Sequence, residues 1–173
     1  MNTKQEGKEK EWANNMVNLM FSFVSNKPNK FGVYVRYAKE EVDELLAHYE
    51  QDFCDAAPLL DAEGITRLAQ VMYLFKSKEF ENIWWRIENR VHDLAEVKGA
   101  LDSYNISTIL RSFSRSQENQ MSGSDKLFFH LEPLILAQLD QFSIRDLSHV
   151  LYAYSIREVG NPEFYKAMDS KIS

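Results

Sequence analysis

The chain has 173 residues, of which 45% are hydrophobic, 13% aromatic and 27% charged, enough apolar material for a sizeable core and too much for wholesale disorder. Its net charge of −6 and pI near 5.3 give an average field that repels phosphate, so non-specific nucleic-acid binding requires a local basic patch. Apolar runs such as Val71-Met72-Tyr73-Leu74-Phe75 fall far short of the roughly 20 residues of a membrane span, and the single cysteine, Cys54, excludes an internal disulfide and suits a reducing compartment.

Residues 1–10 are polar with mixed charge and read as a disordered tail. They have neither the apolar core of a secretory signal nor the acid-poor, Arg-rich character of a transit peptide. The expectation is a chain that is not secreted, with any import signal removed, internal or never present. Trp12, Met16, Leu19, Met20 and Phe23 then form one amphipathic stripe, and Tyr34, Tyr37, Ala38, Val42, Leu45, Leu46 and Tyr49 a second, separated by Ser25 to Asn29. They predict a degenerate N-terminal helical hairpin over 11–55, in the place of a capping repeat.

From Leu60 the sequence repeats itself. Leu60 to Leu68 returns as Leu101 to Ile109 and again as Phe142 to Val150, at equal offsets (101 − 60 = 41, 142 − 101 = 41). Asp61, Asp102 and Ser143 each supply an oxygen suited to capping a helix start. The apolar residues around them, Leu60 with Ile65, Leu101 with Ile106 and Phe142 with Leu147, have the spacing of a hydrophobic staple, and Ser143 with Asp146 that of a capping box. Each start leads into a helical apolar face: Ile65, Leu68, Met72, Phe75; Ile106, Ile109, Leu110, Phe113; Leu147, Val150, Leu151, Tyr154.

A polar break and a second amphipathic segment follow each of these faces. The second segments are Phe80, Ile83, Trp84, Ile87, Val91; Phe128, Leu131, Leu134, Ile135, Leu139; and Phe164, Tyr165, Met168, Ile172. The middle break, Ser116 to Lys126, is the longest and reads as a surface loop. In the third, Gly160-Asn161-Pro162, the glycine is expected to end one helix and the proline to open the next. The prediction is an all-α, α-solenoid-like protein of stacked antiparallel hairpins, with three repeats over 60–173 (60–100, 101–141, 142–173) or four with the degenerate hairpin.

The segment from Phe142 to Ala167 resembles one unit of the organellar helical-hairpin repeats, the octotricopeptide-like and heptatricopeptide-like arrays and the repeat region of FAST-kinase-domain proteins. The matching positions are Ser143, Leu147, Val150, Leu151, Ala153, Tyr154 and Phe164, and more loosely Asp61 to Phe80 and Asp102 to Phe128. The resemblance implies a mitochondrial or plastid setting and RNA as a candidate ligand; a cytoplasmic setting is the alternative. The chain reads as departing from those proteins in being short, acidic and without the C-terminal nuclease-like domain that many of them carry.

The titratable residues form no catalytic pattern. His48, His92, His130 and His149 fall in different segments, and the six glycines make neither a phosphate-binding loop nor a dinucleotide fingerprint. The reading is a non-enzyme with no catalytic, cofactor or metal site. His149 reads as a packed or interfacial histidine, Cys54 as a small hydrophobe, and Glu40, Glu41, Asp43 and Glu44 as a solvated helix face.

The favoured function is a non-catalytic scaffold, an accessory subunit of a large assembly working through protein–protein contacts. Its candidate contacts are Trp84 and Trp85, about 100° apart on one helix so that one can be core and the other surface, and Tyr165, Met168 and Ile172 at the end of the last hairpin. The alternative is RNA binding through Arg67, Arg86, Arg90, Arg111, Arg115 and Arg145, with Arg157 and the tryptophans beside them. Because Arg111 follows Arg67 by 44 residues, three off the period, the arginines are not expected to form one column down the repeats.

Overall fold

The computed structural model describes residues 3–24, 39–75, 80–114 and 123–172. These form eight α-helices and no strand among the described residues: α1 (Thr3–Val24), α2 (Lys39–Ala56), α3 (Ala62–Phe75), α4 (Glu81–Ala95), α5 (Ser103–Ser114), α6 (Asp125–Ala137), α7 (Ile144–Arg157) and α8 (Pro162–Ile172). None of them is long and apolar enough to cross a membrane.

Helices α3, α5 and α7 start where the repeat's polar residue stands. Asp61 Oδ1 accepts the Gly64 N–H at 2.8 Å, Asp102 Oδ1 the Asn105 N–H at 2.7 Å and Ser143 Oγ the Asp146 N–H at 3.2 Å. Each cap satisfies a donor that the first turn leaves open, a contribution of about 1 kcal/mol. The staple residues Leu60, Ile65, Leu101, Ile106, Phe142 and Leu147 are all buried. The reciprocal capping box, however, belongs to the second copy, where the Asp102 N–H donates to Asn105 Oδ1 at 3.4 Å. In the third copy the Asp146 carboxylate accepts the Ser143 hydroxyl instead, at 2.6 Å.

Helix α1 packs on α3, α3 on α5 and α5 on α7, while α2 packs on α4, α4 on α6 and α6 on α8. Held between α3 and α7, α5 buries every residue from Asn105 to Leu110, polar ones included. The small hydroxyls there let helices approach and satisfy themselves on their own helix, as Ser112 Oγ does on the Thr108 carbonyl at 2.8 Å.

A polar bond between neighbouring first helices recurs by translation. Asn105 Nδ2 donates to Thr66 Oγ1 at 3.2 Å, and Ser107 Oγ donates to Asp146 Oδ1 at 3.0 Å. Thr66 and Ser107 are one period apart, as are Asn105 and Asp146 (107 − 66 = 41, 146 − 105 = 41). At the corresponding place in α3 stands Gly64, where an added Cβ would lie 2.7 Å from Asn14 Oδ1. The missing side chain is what lets α1 pack close to α3.

The second helices carry their own device, a glutamate seven residues after the helix's first. Glu88 of α4 accepts the Ser124 N–H at 2.9 Å and the Ser124 hydroxyl, and Glu132 of α6 accepts the Asn161 side-chain amide. Ser124 and Asn161 are the residues immediately before α6 and α8, so each buried carboxylate fastens the start of the next even-numbered helix. Burial pushes the Glu132 carboxyl above the usual carboxylate range.

Four expectations are corrected. Residues 3–10 belong to α1 rather than to a disordered tail. Their Glu- and Lys-rich composition favours helix, and Glu6 pairs with Lys10 one turn on, at 3.2 Å. Helix α1 buries Ala13, Val17 and Met20 instead of Trp12 and Leu19, which are exposed; small and branched residues allow the close approach to α3 that a tryptophan would block. Helix α2 likewise leaves Tyr49 exposed and buries Leu46, Phe53 and Cys54. Finally, α7 ends on Glu158 at φ +55°, with Gly160 beyond it at φ +99°. Phe23, Phe75, Tyr34, Tyr37, Ala38, Val42 and residues 115–122 lie outside the described side chains.

A glutamate in the left-handed region costs roughly 1–2 kcal/mol that glycine does not. Glu158→Gly is therefore expected to raise the unfolding free energy by about 1 kcal/mol, read as a higher urea midpoint at unchanged slope. An unchanged or lower midpoint would show that the Glu158 side chain compensates for its backbone.

Candidate binding groove

The exposed sides of the odd-numbered helices enclose a groove of about 270 Å³. Phe21 of α1, Gln70, Tyr73 and Leu74 of α3, Tyr104, Thr108, Arg111 and Ser112 of α5, and Arg145, Asp146 and His149 of α7 line it. Three sets of equivalent repeat positions contribute: Tyr104 with Arg145, Thr108 with His149, and Gln70 with Arg111, each pair 41 residues apart (145 − 104 = 41, 149 − 108 = 41, 111 − 70 = 41). The surface is made by the same helix positions of successive repeats.

Arg111 lies across this groove. Its Nη1 is 3.1 Å from His149 Nε2, and its guanidinium carbon is 5.8 Å from the Tyr73 ring centroid. Because a guanidinium only donates, Nε2 accepts, and the His149 ring is neutral with its proton on Nδ1. Burial, then the positive charges of Arg111 and Arg145, push the His149 pKa below its ordinary value, with Asp146 pulling the other way. Asp146 already accepts the hydroxyls of Ser107 and Ser143. Arg145 is exposed and has no ion pair among the described residues. The lining therefore carries two guanidiniums against one carboxylate, a local positive patch in a chain of net charge −6.

The sign of the pH effect follows. The unfolded chain protonates His149 near pH 6.5, the native chain only below that. Stability is full above the unfolded value and is lost as pH falls from about 6.5 towards the native value. Urea midpoints measured between about pH 8 and pH 5 are expected to fall less in His149→Gln than in the parent chain. Parallel curves for the two would remove His149 from the account.

Arg111 and Arg145 share one groove from different repeat positions. Forty-four residues is one period plus three, and three residues turn a helix by about 300°, so Arg111 sits nearly one turn further along the same face as Arg67. Arg67 stands at the groove's α1 side, its guanidinium carbon 6.0 Å from the Phe21 centroid, paired with Glu63 and Asn18. The other arginines are elsewhere. Arg90 donates to the Leu60 carbonyl at 2.7 Å and lies 4.0 Å from Asp93, tying α4 to the turn before α3. Arg86 stacks over Trp85 on α4, 5.2 Å from its centroid. Arg157 is buried, and Arg115 lies outside the described residues.

Of the candidate protein contacts, Trp84 is core, 4% exposed, with its ring 4.9 Å from that of Phe113, while Trp85 is 57% exposed. Met168 is fully buried, and Tyr165 is half-buried with its hydroxyl donating to the Val159 carbonyl at 2.7 Å. Only Ile172 of that edge faces solvent. The apolar period that predicted α8 points Phe164 and Met168 towards α6 and α7, which is why Met168 is no contact. Cys54 is buried, and burial with Glu50 beside it pushes its thiol up, away from reactivity. Glu41 and Glu44 are exposed.

The groove's aromatic walls, Tyr73 and Tyr104, were not among the residues singled out from the sequence. The signal was present: applying the period to the polar positions of the first helices aligns Glu63, Tyr104 and Arg145, and Arg67, Thr108 and His149. Among the described residues no group of three or more His, Cys, Asp or Glu side chains is placed to hold a metal ion. Comparison of the chain with protein-family models, curated proteins and solved structures returns no match, so the groove is interpreted from its own residues.

Proposed function

We propose that this protein is a non-catalytic helical-repeat scaffold, an α-solenoid-like stack of three hairpins and a degenerate fourth, acting by protein–protein contacts as an accessory subunit of a larger assembly. The observation that carries the reading is the groove itself, in which equivalent positions of successive repeats converge on one exposed surface. Repeat stacks recognise partners with such composite faces. Trp85, exposed on the even-numbered side with Arg86 stacked on it, has the composition of an interface anchor and supplies a second contact point. The mitochondrial setting rests on the resemblance alone.

RNA binding is the second reading, favoured by one observation: Arg111, Arg145, Tyr73 and Tyr104 meet in the same groove. The two readings part on the native mass of the endogenous protein in mild detergent extract, before and after ribonuclease. A large complex that survives ribonuclease supports the scaffold. A small particle, or a complex that collapses on digestion, supports RNA.

A further inference from the structure

Resting on the protein-binding reading, we propose that the groove over α3, α5 and α7 receives an acidic segment of a partner protein. Arg111 and Arg145 read its carboxylates, and Tyr73 and Tyr104 seat an apolar or aromatic side chain beside them. Charge complementarity selects this occupant. Arg111 donates to a neutral histidine, so that contact cancels none of its charge. Arg145 has no ion pair among the described residues. The one lining carboxylate, Asp146, is occupied by two hydroxyls. A guanidinium meets a carboxylate through two parallel N–H donors, and the bond strengthens where the groove walls keep water away.

Size and surroundings separate a short acidic segment from a nucleic-acid strand. A volume of about 270 Å³ holds a few side chains, whereas a single strand tracks a longer basic channel over several nucleotides. Charges beyond about 8 Å are screened at physiological salt. A short segment therefore feels mainly the two arginines, while a long polyanion also meets the acidic remainder of a chain of net charge −6. Arg67, at the groove's end, is already matched by Glu63 and adds little for a strand to follow.

The test is isothermal titration of the full chain with three probes: a synthetic peptide of alternating glutamate and aspartate around one phenylalanine, the same peptide with glutamine and asparagine in place of the acids, and single-stranded oligouridylate of matching length. The acidic peptide is expected to bind, more weakly as salt is raised, and the neutral peptide is not. Arg111→Gln/Arg145→Gln is expected to weaken binding by tenfold or more, since a hydrogen bond to a charged group is worth about that factor. Lys166→Gln, which removes an exposed charge of α8, is expected to leave binding unchanged. Arg145→Gln alone breaks no ion pair among the described residues and keeps the test valid should the double variant melt early. Equal binding of acidic and neutral peptides, no binding of either, or no loss in the arginine variants overturns the proposal. Tighter binding of oligouridylate, lost in the same variants, overturns it in favour of RNA. A ribonuclease-resistant complex that persists with both arginines replaced would leave the scaffold reading standing and remove only the groove.

Discussion

Arg157→Ala is expected to lower the unfolding free energy by about 3 kcal/mol and the melting temperature by roughly 6–12 °C for a chain of this length. The Arg157 side chain is 2% exposed and joins three helices. Its Nη2 donates to the Phe113 carbonyl at 2.9 Å near the end of α5, and its Nη1 to Asp125 Oδ1 at 3.2 Å and the Gly123 carbonyl at 3.4 Å where α6 begins. Its guanidinium carbon is 5.1 Å from the Phe128 centroid. Burial opposes the charge and Asp125 supports it, and a guanidinium stays protonated in either case.

Alanine would leave the Phe113 carbonyl without that donor and open a hole against Phe128. Asp125, 53% exposed, returns to water instead of being stranded, which places the loss at the low end for a broken buried pair. Arg157→Lys keeps the charge without the fork and is expected to fall between the two. Urea denaturation of the three proteins checks the order. An alanine variant within about 0.5 kcal/mol of the parent would mean that desolvation of the guanidinium cancels everything it holds.

The two adjacent tryptophans are expected to fail in opposite ways. Trp84→Ala removes a core ring packed edge-on to Phe113 and is expected to cost about 3–5 kcal/mol, as large-to-small core changes do. Trp85→Ala, one residue on, is expected to change stability by less than about 0.5 kcal/mol. On the proposed scaffold reading its effect is expected instead in the native mass of the protein, where loss of an anchoring ring would release a bound partner. Thermal melts and native electrophoresis of both variants read the two effects apart. A Trp85 variant that melts early, or one that keeps its full complex, would remove that residue from the proposed interface.

Much of this architecture is legible in the residues because the signals are local. Asp61, Asp102 and Ser143 cap helices for a reason that needs only the next three residues, and the apolar steps after them need only the helical pitch. Legibility fails where two elements must be weighed together. Helix α1 offers two overlapping stripes, and its contact with α3 across Gly64 selects Ala13, Val17 and Met20 over the larger residues. Glu88 and Glu132 perform one job 44 residues apart, off the 41-residue period. The connections between the first and second helices differ in length, and that shifts the second helices against the repeat.

The groove shows the same division most clearly. Arg67, Arg111 and Arg145 were visible as charges, and so was the 41-residue period. Their relation depends on which side of each helix faces solvent and on how far neighbouring helices slide. Both are set by packing. The sequence by itself determined the helices, their caps, the repeat and most of the buried face, because each follows from backbone hydrogen bonding and apolar periodicity within one segment. Only the tertiary structure decided which of the two adjacent tryptophans stays in solvent, that Glu158 ends α7, and that Arg111, Arg145, Tyr73 and Tyr104 share one surface. Those outcomes depend on side chains distant in the chain competing for the same space and water, and no single segment contains that competition.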